Sequence, residues 1–449
     1  MLSNYLQKEN SASTFLVNDE GKFISRKLLA KWVDSTRVQL HGLLGQRVAI
    51  RSSSSLELIM LLLLCDGWVE SLLILPDDLA EDDITKTYQI EAKVNAIISS
   101  SSNLAKDLEI PRIEWVNGKL DTKWDGNTKW IIATSGTTKK PKLVEHTLES
   151  LSKSVKLDPN KGNDITWGLL YSVSRFAGLQ VFLQALLGGS SLLVDEKHLD
   201  VEQRISYFAE HKCNALSATP TLWRKILMSP SASEMHLRLI TLGGEIANQM
   251  ILNALALAFP SARIRHIYAS TEVGVGFAVA DHKEGFPVAW LKAPPLDIEL
   301  LISNRSTLKI RSDKQTQKYL SESLKLSGDD GFIDTGDLVE ICNDRVLFRG
   351  RENGTINVGG NKVQPEEVER VIGAVPGVAI VKITGIVNSI MGSLVEANIV
   401  LKNGFDPKEV RVAVVDKCQQ QLEPFKRPAL LKIVDDINTN RSGKIVRSL

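Results

Sequence analysis

The sequence predicts an α/β fold: a large N-terminal domain with several largely parallel sheets, followed by a small α+β C-terminal domain. Three observations carry this prediction. Through the first three quarters of the chain, apolar runs of strand length alternate with stretches of helix length. From about Leu300 the pattern changes to shorter alternating strands with turns, as in antiparallel pairing. Between Gly350 and Gly360 the chain becomes rich in Gly and Asn, and a helix then starts at Pro365. The domain boundary is therefore placed near Asn353, between residues 1–352 and 354–449.

In chain order, residues 48–50, 71–75, 96–98, 129–133, 191–194 and 239–242 read as buried strands. Between them, 56–66, 146–156, 177–187, 201–211 and 247–258 read as helices, and 99–102 and 117–127 as loops. Short strands follow at 308–311, 332–334 and 345–348. The last segment mixes helices at 365–373 and 407–421 with strands at 378–386 and 394–401. The most apolar run, residues 58–65 (LIMLLLLC), is far shorter than the roughly 20 residues that span a bilayer, so it reads as a buried helix.

The 449 residues hold 54 Lys+Arg against 53 Asp+Glu, so no global field draws in nucleic acid or an acidic membrane surface. Cys65, Cys213, Cys342 and Cys418 lie far apart, which argues against a disulfide scaffold and a structural zinc site. Residues 1–15 lack the apolar core of a signal peptide. A cytoplasmic enzyme without a membrane span or nucleic-acid partner is the expected class.

The strongest local signal is residues 130–144 (WIIATSGTTKKPKLV). A buried strand runs into a loop of small hydroxyl residues, then lysines. Small residues let backbone N–H groups approach an anion, and hydroxyl and ammonium groups add donors for phosphate oxygens. The spacing is not that of a GxxxxGK[ST] loop. On this chemistry alone the segment suits phosphate binding or a solvated Ser/Thr/Lys turn.

Four further segments follow in order: residues 268–272 (YASTE), 331–337 (GFIDTGD), Gly350 with Arg351, and 440–444 (NRSGK). Together with the 134–142 segment they resemble the ordered motifs of the adenylate-forming superfamily, which includes acyl-CoA synthetases, luciferases and peptide-synthetase adenylation domains. Taken singly, Tyr268 reads as a packed aromatic, Glu272 and Asp337 as surface carboxylates, and Arg351 and Lys444 as solvated charges. The ordered set changes that reading. It covers residues 130–447; the first 120 residues fit only in general pattern.

The resemblance implies a large domain with a small barrel-like part, joined by a hinge at Asn353 to a mobile C-terminal lid. It also implies roles. Thr134, Ser135, Gly136, Thr137, Thr138 and Lys142 would hold the phosphates of ATP, and Tyr268 would stack on adenine beside Ala269 and Ser270. Gly243, Gly244 and Glu245 would line the base pocket. Thr271 would contact the α-phosphate and Glu272 would hold Mg2+. Asp337 would accept hydrogen bonds from the ribose with Arg351 assisting, and Lys444 would reach the α-phosphate and the attacking carboxylate. His146 reads either as a neighbour of the phosphate loop or as a helix-start or core histidine.

Residues 358–368 (VGGNKVQPEEV) and 425–428 (FKRP) resemble carboxylate–CoA ligases more than peptide-synthetase domains. By that resemblance the lid swivels after adenylation and presents Gly359 and Gly360 to a channel for a pantetheine arm, whether of CoA or of an acyl carrier protein. Residues 171–179 (YSVSRFAGL) lack the aspartate expected for an amino-acid substrate. Ala218, Thr219, Trp223, Gly243 and Gly274 are the expected lining of the acyl pocket, and Arg175 is expected either to pair there with a second carboxylate or to cap a helix. The chain departs from the family pattern at Lys139, Leu143, Asn353 and Ala269.

The expected function is an ATP-dependent acid–thiol ligase that makes acyl-AMP and pyrophosphate, then an acyl thioester on CoA. One alternative is a stand-alone adenylating enzyme that loads a carrier protein in polysaccharide or secondary metabolism. Another, prompted by Lys139, is a non-catalytic nucleotide- or acyl-binding relative.

Overall fold

The computed structural model describes residues 1–6, 14–18, 22–77, 83–99, 108–120, 124–134, 142–155, 162–195, 199–295, 297–312, 318–321, 325–388, 391–440 and 443–445. Two sheets with parallel centres form most of the first 280 residues. The first orders Gly274–Val279, Arg263–Ser270, Leu239–Gly243, Ala215–Ala218, Thr166–Gly168, Ser191–Val194, Thr14–Asn18 and Phe23–Ser25. Its two edge strands pair antiparallel and the rest parallel. The second orders Lys318–Tyr319, Leu143–His146, Lys129–Ala133, Ser71–Ile74, Arg47–Arg51, Ala96–Ser99 and Arg112–Trp115, again with a parallel centre.

Helix Ser55–Cys65 is apolar on nearly every face because it is buried on every face: Leu56 to Cys65 all fall below a tenth exposed. Ser54 starts it by accepting from the Glu57 amide at 3.0 Å. At its end, the buried Asp66 carboxylate accepts from the Leu2 amide at 2.7 Å and the Trp130 indole at 3.0 Å. This one side chain ties the N-terminus to the strand that leads into the phosphate-loop motif.

An antiparallel sheet follows: Phe286–Pro287, Arg345–Arg351, Ile333–Cys342, Thr307–Arg311 and Glu299–Ile302. This is the barrel-like part. A fourth sheet draws only on residues from Ile356 onward: Asn361–Val363, Ile356–Val358, Gly392–Leu401, Val378–Asn388 and Leu430–Ile433. It packs against helices Pro365–Gly373 and Pro407–Gln421 around its own core. The short turn Glu352–Gly354 joins the two halves. The α/β class is as expected. Helix Leu148–Ser152 is shorter than its predicted span, part of which lies outside the described residues.

Asp66→Ala strands two buried donors and is expected to cost about 2–4 kcal/mol of stability, measurable as a shift in urea unfolding with no change in native far-UV circular dichroism.

Candidate active site

Parallel strands end their backbones side by side, and the loops after them form a crevice there. Thr134 follows Lys129–Ala133, Thr219 follows Ala215–Ala218, Gly243 ends Leu239–Gly243, and Thr271 follows Arg263–Ser270. These residues line one cavity of about 1940 Å3 that also reaches Asp337, Arg351, Asn353 and Lys444.

The C-terminal tail is brought to these strand ends by backbone and side-chain hydrogen bonds. Thr219 Oγ1 donates to the Gly443 carbonyl. Glu245 accepts from the Ile445 amide at 3.0 Å with one oxygen and from the Thr221 amide at 2.9 Å with the other. Lys444 then lies directly over Gly244, where a Cβ would stand 2.8 Å from the lysine Cε and where φ is +81°. Both the space and the left-handed backbone call for glycine. Burial lowers the Lys444 pKa, Arg351 adds to this, and Glu245, Asp337 and Glu272 oppose it. Helix Pro220–Met228 supports the docking: Lys225 pairs with Asp436 at 2.7 Å.

Asp337 holds Arg351 Nε at 2.8 Å on one oxygen and accepts the Tyr268 hydroxyl on the other. Burial, then the Asp337 charge, pushes the Tyr268 phenol well above its ordinary value. Its ring is nearly parallel to those of Phe277, at 5.1 Å, and Phe348, at 5.2 Å. Cross-strand packing places the first of these rings, because Phe277 is the direct partner of Tyr268 on the neighbouring strand; Tyr268 still lines the cavity with Ala269 and Ser270.

At the phosphate-loop motif, Thr134 and Lys142 close the base of the loop. The Lys142 amide donates to Thr134 Oγ1 at 3.1 Å, and the Thr134 amide donates to the Lys142 carbonyl at 2.8 Å. Ser135, Gly136, Thr137 and Thr138, with Lys139, lie outside the described residues. The Lys142 ammonium sits over the Tyr319 ring at 4.6 Å and donates to its hydroxyl at 3.4 Å. Burial, reinforced by the Glu272 charge, pushes the Tyr319 phenol up to about 12. Tyr319 carries no motif signal; a separation of 177 residues from Lys142 hides it from local sequence reading.

His146 is fully buried, and its Nε2–H donates to the Thr271 carbonyl at 2.8 Å. It is a core histidine that fixes the turn carrying Thr271 and Glu272. Among the described residues no group of three His, Cys, Asp or Glu side chains is placed to hold a metal. Glu272 lines the cavity beside Thr271, and a carboxylate there fits Mg2+ held by one carboxylate plus substrate phosphates.

Several expected pocket residues fall elsewhere. Strand alternation turns Ala218 into a buried core, while Ser217 lines the cavity. Trp223 is buried in that same core, its indole donating to the Thr241 carbonyl at 3.0 Å. Gly274 is buried at a strand start, and Val275 takes the wall position. Arg175 and Thr219 do line the cavity. Gly359 and Gly360 form a tight turn, with φ of +57° and +88°, away from the cavity wall and beside Met391.

The family model described as AMP-binding enzyme matches residues 70–316, and that for its C-terminal domain matches 367–444. The chain belongs to the AMP-binding enzyme family. It is an adenylate-forming protein most like the acid–CoA ligases. A 2-succinylbenzoate–CoA ligase of Listeria innocua is 25% identical over 379 residues, covering 82% of this chain and 79% of that protein. A medium/long-chain-fatty-acid–[acyl-carrier-protein] ligase of Mycobacterium tuberculosis is 25% identical over 358 residues, covering 71% and 65%. The crystal structure of ATP-bound MatB from Rhodopseudomonas palustris shares the fold, with a TM-score of 0.76 at 19% identity over 99% of this chain and 96% of that one.

Burial lowers the His146 pKa from 6.5 to about 4. Between those values the unfolded chain binds a proton that the folded chain refuses, so stability falls as the pH drops through this window. His146→Gln keeps a donor but cannot titrate. Its urea-unfolding free energy should fall about 2–3 kcal/mol less than that of the parent between pH 7 and 4.5. His266, also lowered to about 4, contributes equally to both proteins.

Proposed function

We propose that the protein is an ATP-dependent carboxylic acid–CoA ligase. A carboxylate oxygen attacks the α-phosphorus of ATP, the bond to the β-phosphate oxygen breaks, and acyl-AMP and pyrophosphate form. The CoA thiol then attacks the acyl carbon, loses its proton, and releases AMP. The observation that carries this reading is the docking of Lys444 across the domain boundary onto Gly244, beside Glu245, Glu272, Asp337 and Arg351.

The electrostatics supports such a role. A carboxylate approaching a triphosphate meets like charge, and the transition state gathers more charge on non-bridging oxygens. An ammonium group held in place before the reaction stabilises that charge without reorganisation. Lys444 is largely withdrawn from water, so its field there is weakly screened. Asp337 keeps lone pairs beyond those used by Arg351 and Tyr268, enough to accept from ribose hydroxyls. Magnesium, when bound beside Glu272, would neutralise phosphate charge. No nucleophile from the protein is required.

The turn Glu352–Gly354, with Asn353 at its centre, is the proposed hinge. A swivel there would withdraw Lys444 and bring the Gly359–Gly360 turn toward the site for thioester formation. Lys225 and Asp436 would hold the first position. The ligase for 2-succinylbenzoate and CoA supports CoA as acceptor. The relative named as an acyl-carrier-protein ligase supports the alternative, a carrier protein bearing the same thiol arm.

Pyrophosphate release from ATP, Mg2+ and a panel of acids, with and without CoA, tests the reading. Lys444→Ala should lower adenylation about 10²–10³-fold and leave thioester formation from supplied acyl-AMP intact. A variant as fast as the parent would overturn the role. Lys225→Ala removes a partly exposed pair, so adenylation should slow only about two- to fivefold, again sparing the second half-reaction.

A further inference from the structure

The cavity continues below the strand ends, between helix Phe176–Leu187 and the eight-stranded sheet. Strand register puts Ser217, Thr241 and Arg265 in one row across three neighbouring strands. The row above, nearer Lys444, contains Gly243 and Ile267. The row below contains Ala215 and Leu239, which pack into the same core as the helix. Because side chains two apart share a face, Ser217, Thr241 and Arg265 lie on the same sheet face as Ala215 and Leu239, and all three line the cavity.

The helix answers with a polar stripe. Its sequence, FAGLQVFLQALL, has two hydrogen-bonding side chains, Gln180 and Gln184. With Phe176 they are spaced by four, so they share one face, and all three line the cavity. Gln180 Nε2 donates to the Leu151 carbonyl at 2.9 Å. Among the described residues, the side chains of Gln184 and the half-buried Arg265 have no hydrogen-bond or ion-pair partner. A pocket for a purely hydrocarbon tail gains nothing from a guanidinium and an amide in its lining. Taking such groups out of bulk water costs free energy that only a ligand of matching chemistry offsets.

We propose that Arg265 determines which acid is accepted: it pairs with a second anionic group at the far end of the substrate, with Thr241 and Gln184 as flanking hydrogen-bond partners. This rests on the ligase reading above and names the substrate class of that site. The planar guanidinium is suited to grip a carboxylate with two parallel hydrogen bonds. Two residues of strand separate the Gly243 row from the Arg265 row, a rise of about 7 Å. The two acidic groups are therefore roughly 7 to 10 Å apart, as in dicarboxylic acids of medium length or aromatic acids with an acidic arm.

The test uses matched pairs of acids of four to ten carbons, and aromatic pairs, that differ only in bearing a carboxylate or a methyl group at the far end. Pyrophosphate release with ATP, Mg2+ and CoA gives kcat/KM for each. The diacid of the best pair should lead its monoacid at least tenfold. Arg265→Ala should lower kcat/KM for that diacid about 30- to 100-fold and for the monoacid less than threefold, while Arg265→Lys retains an intermediate preference. Unchanged thermal melting separates this from misfolding. A parent enzyme that prefers monoacids, or an Arg265→Ala loss equal for both acids, overturns the proposal. Calorimetric binding of each acid separates the two readings: diacid-selective binding lost in Arg265→Ala but without pyrophosphate release sinks the ligase reading alone. Turnover of monoacids alone sinks only the Arg265 proposal.

Discussion

The active-site arrangement depends on the two-oxygen bridge made by Glu245. One carboxylate oxygen accepts the amide that starts helix Pro220–Met228, and the other accepts the amide of Ile445. The first bond holds the carboxylate at the strand ends. The second pins the C-terminal tail there and sets the position of Lys444, the residue immediately before it. With the Thr219–Gly443 bond and the Lys225–Asp436 pair, this side chain holds Lys444 at the crevice.

That contact explains the composition around it. A side chain at Gly244 would displace the end of Lys444 and would have to adopt the left-handed backbone there. The loss of hydration at the lysine is offset in part by three carboxylates, Glu245, Asp337 and Glu272. Asp337 is itself held by Arg351 and Tyr268, and the Tyr268 ring is wedged among phenylalanines of two sheets. The chain of contacts runs from the hydrophobic packing of the barrel-like sheet to the charge balance at the lysine. Buried polar networks of this kind are sensitive to the loss of any member.

The same cavity serves two different demands. Its upper part is lined by charges suited to a triphosphate and is closed by the C-terminal tail. Its lower part, between the glutamine stripe and the Ser217–Thr241–Arg265 row, is remote from the motifs that identify the family. The two walls of this lower part come from segments about 33 to 85 residues apart in sequence.

Periodicity and turn chemistry were enough to read the α/β class, most strand positions and the change of architecture near Asn353, because these depend on local alternation of apolar residues. The spacing of polar motifs likewise made Lys444, Asp337, Arg351, Thr271 and Glu272 legible as one candidate set. Tertiary packing decided the rest. Strand alternation alone separates Ser217 from Ala218, yet which face meets the cavity depends on where helix Phe176–Leu187 docks. Tyr268 carries the family motif, but the rings it packs on, Phe277 and Phe348, come from the neighbouring strand and from another sheet. Tyr319 reaches Lys142, and Arg265 joins the row of Ser217 and Thr241, only because strands distant in sequence become neighbours in a sheet. Local sequence encodes which residues can form an element and which groups can do chemistry; the pairing of surfaces decides which of them meet.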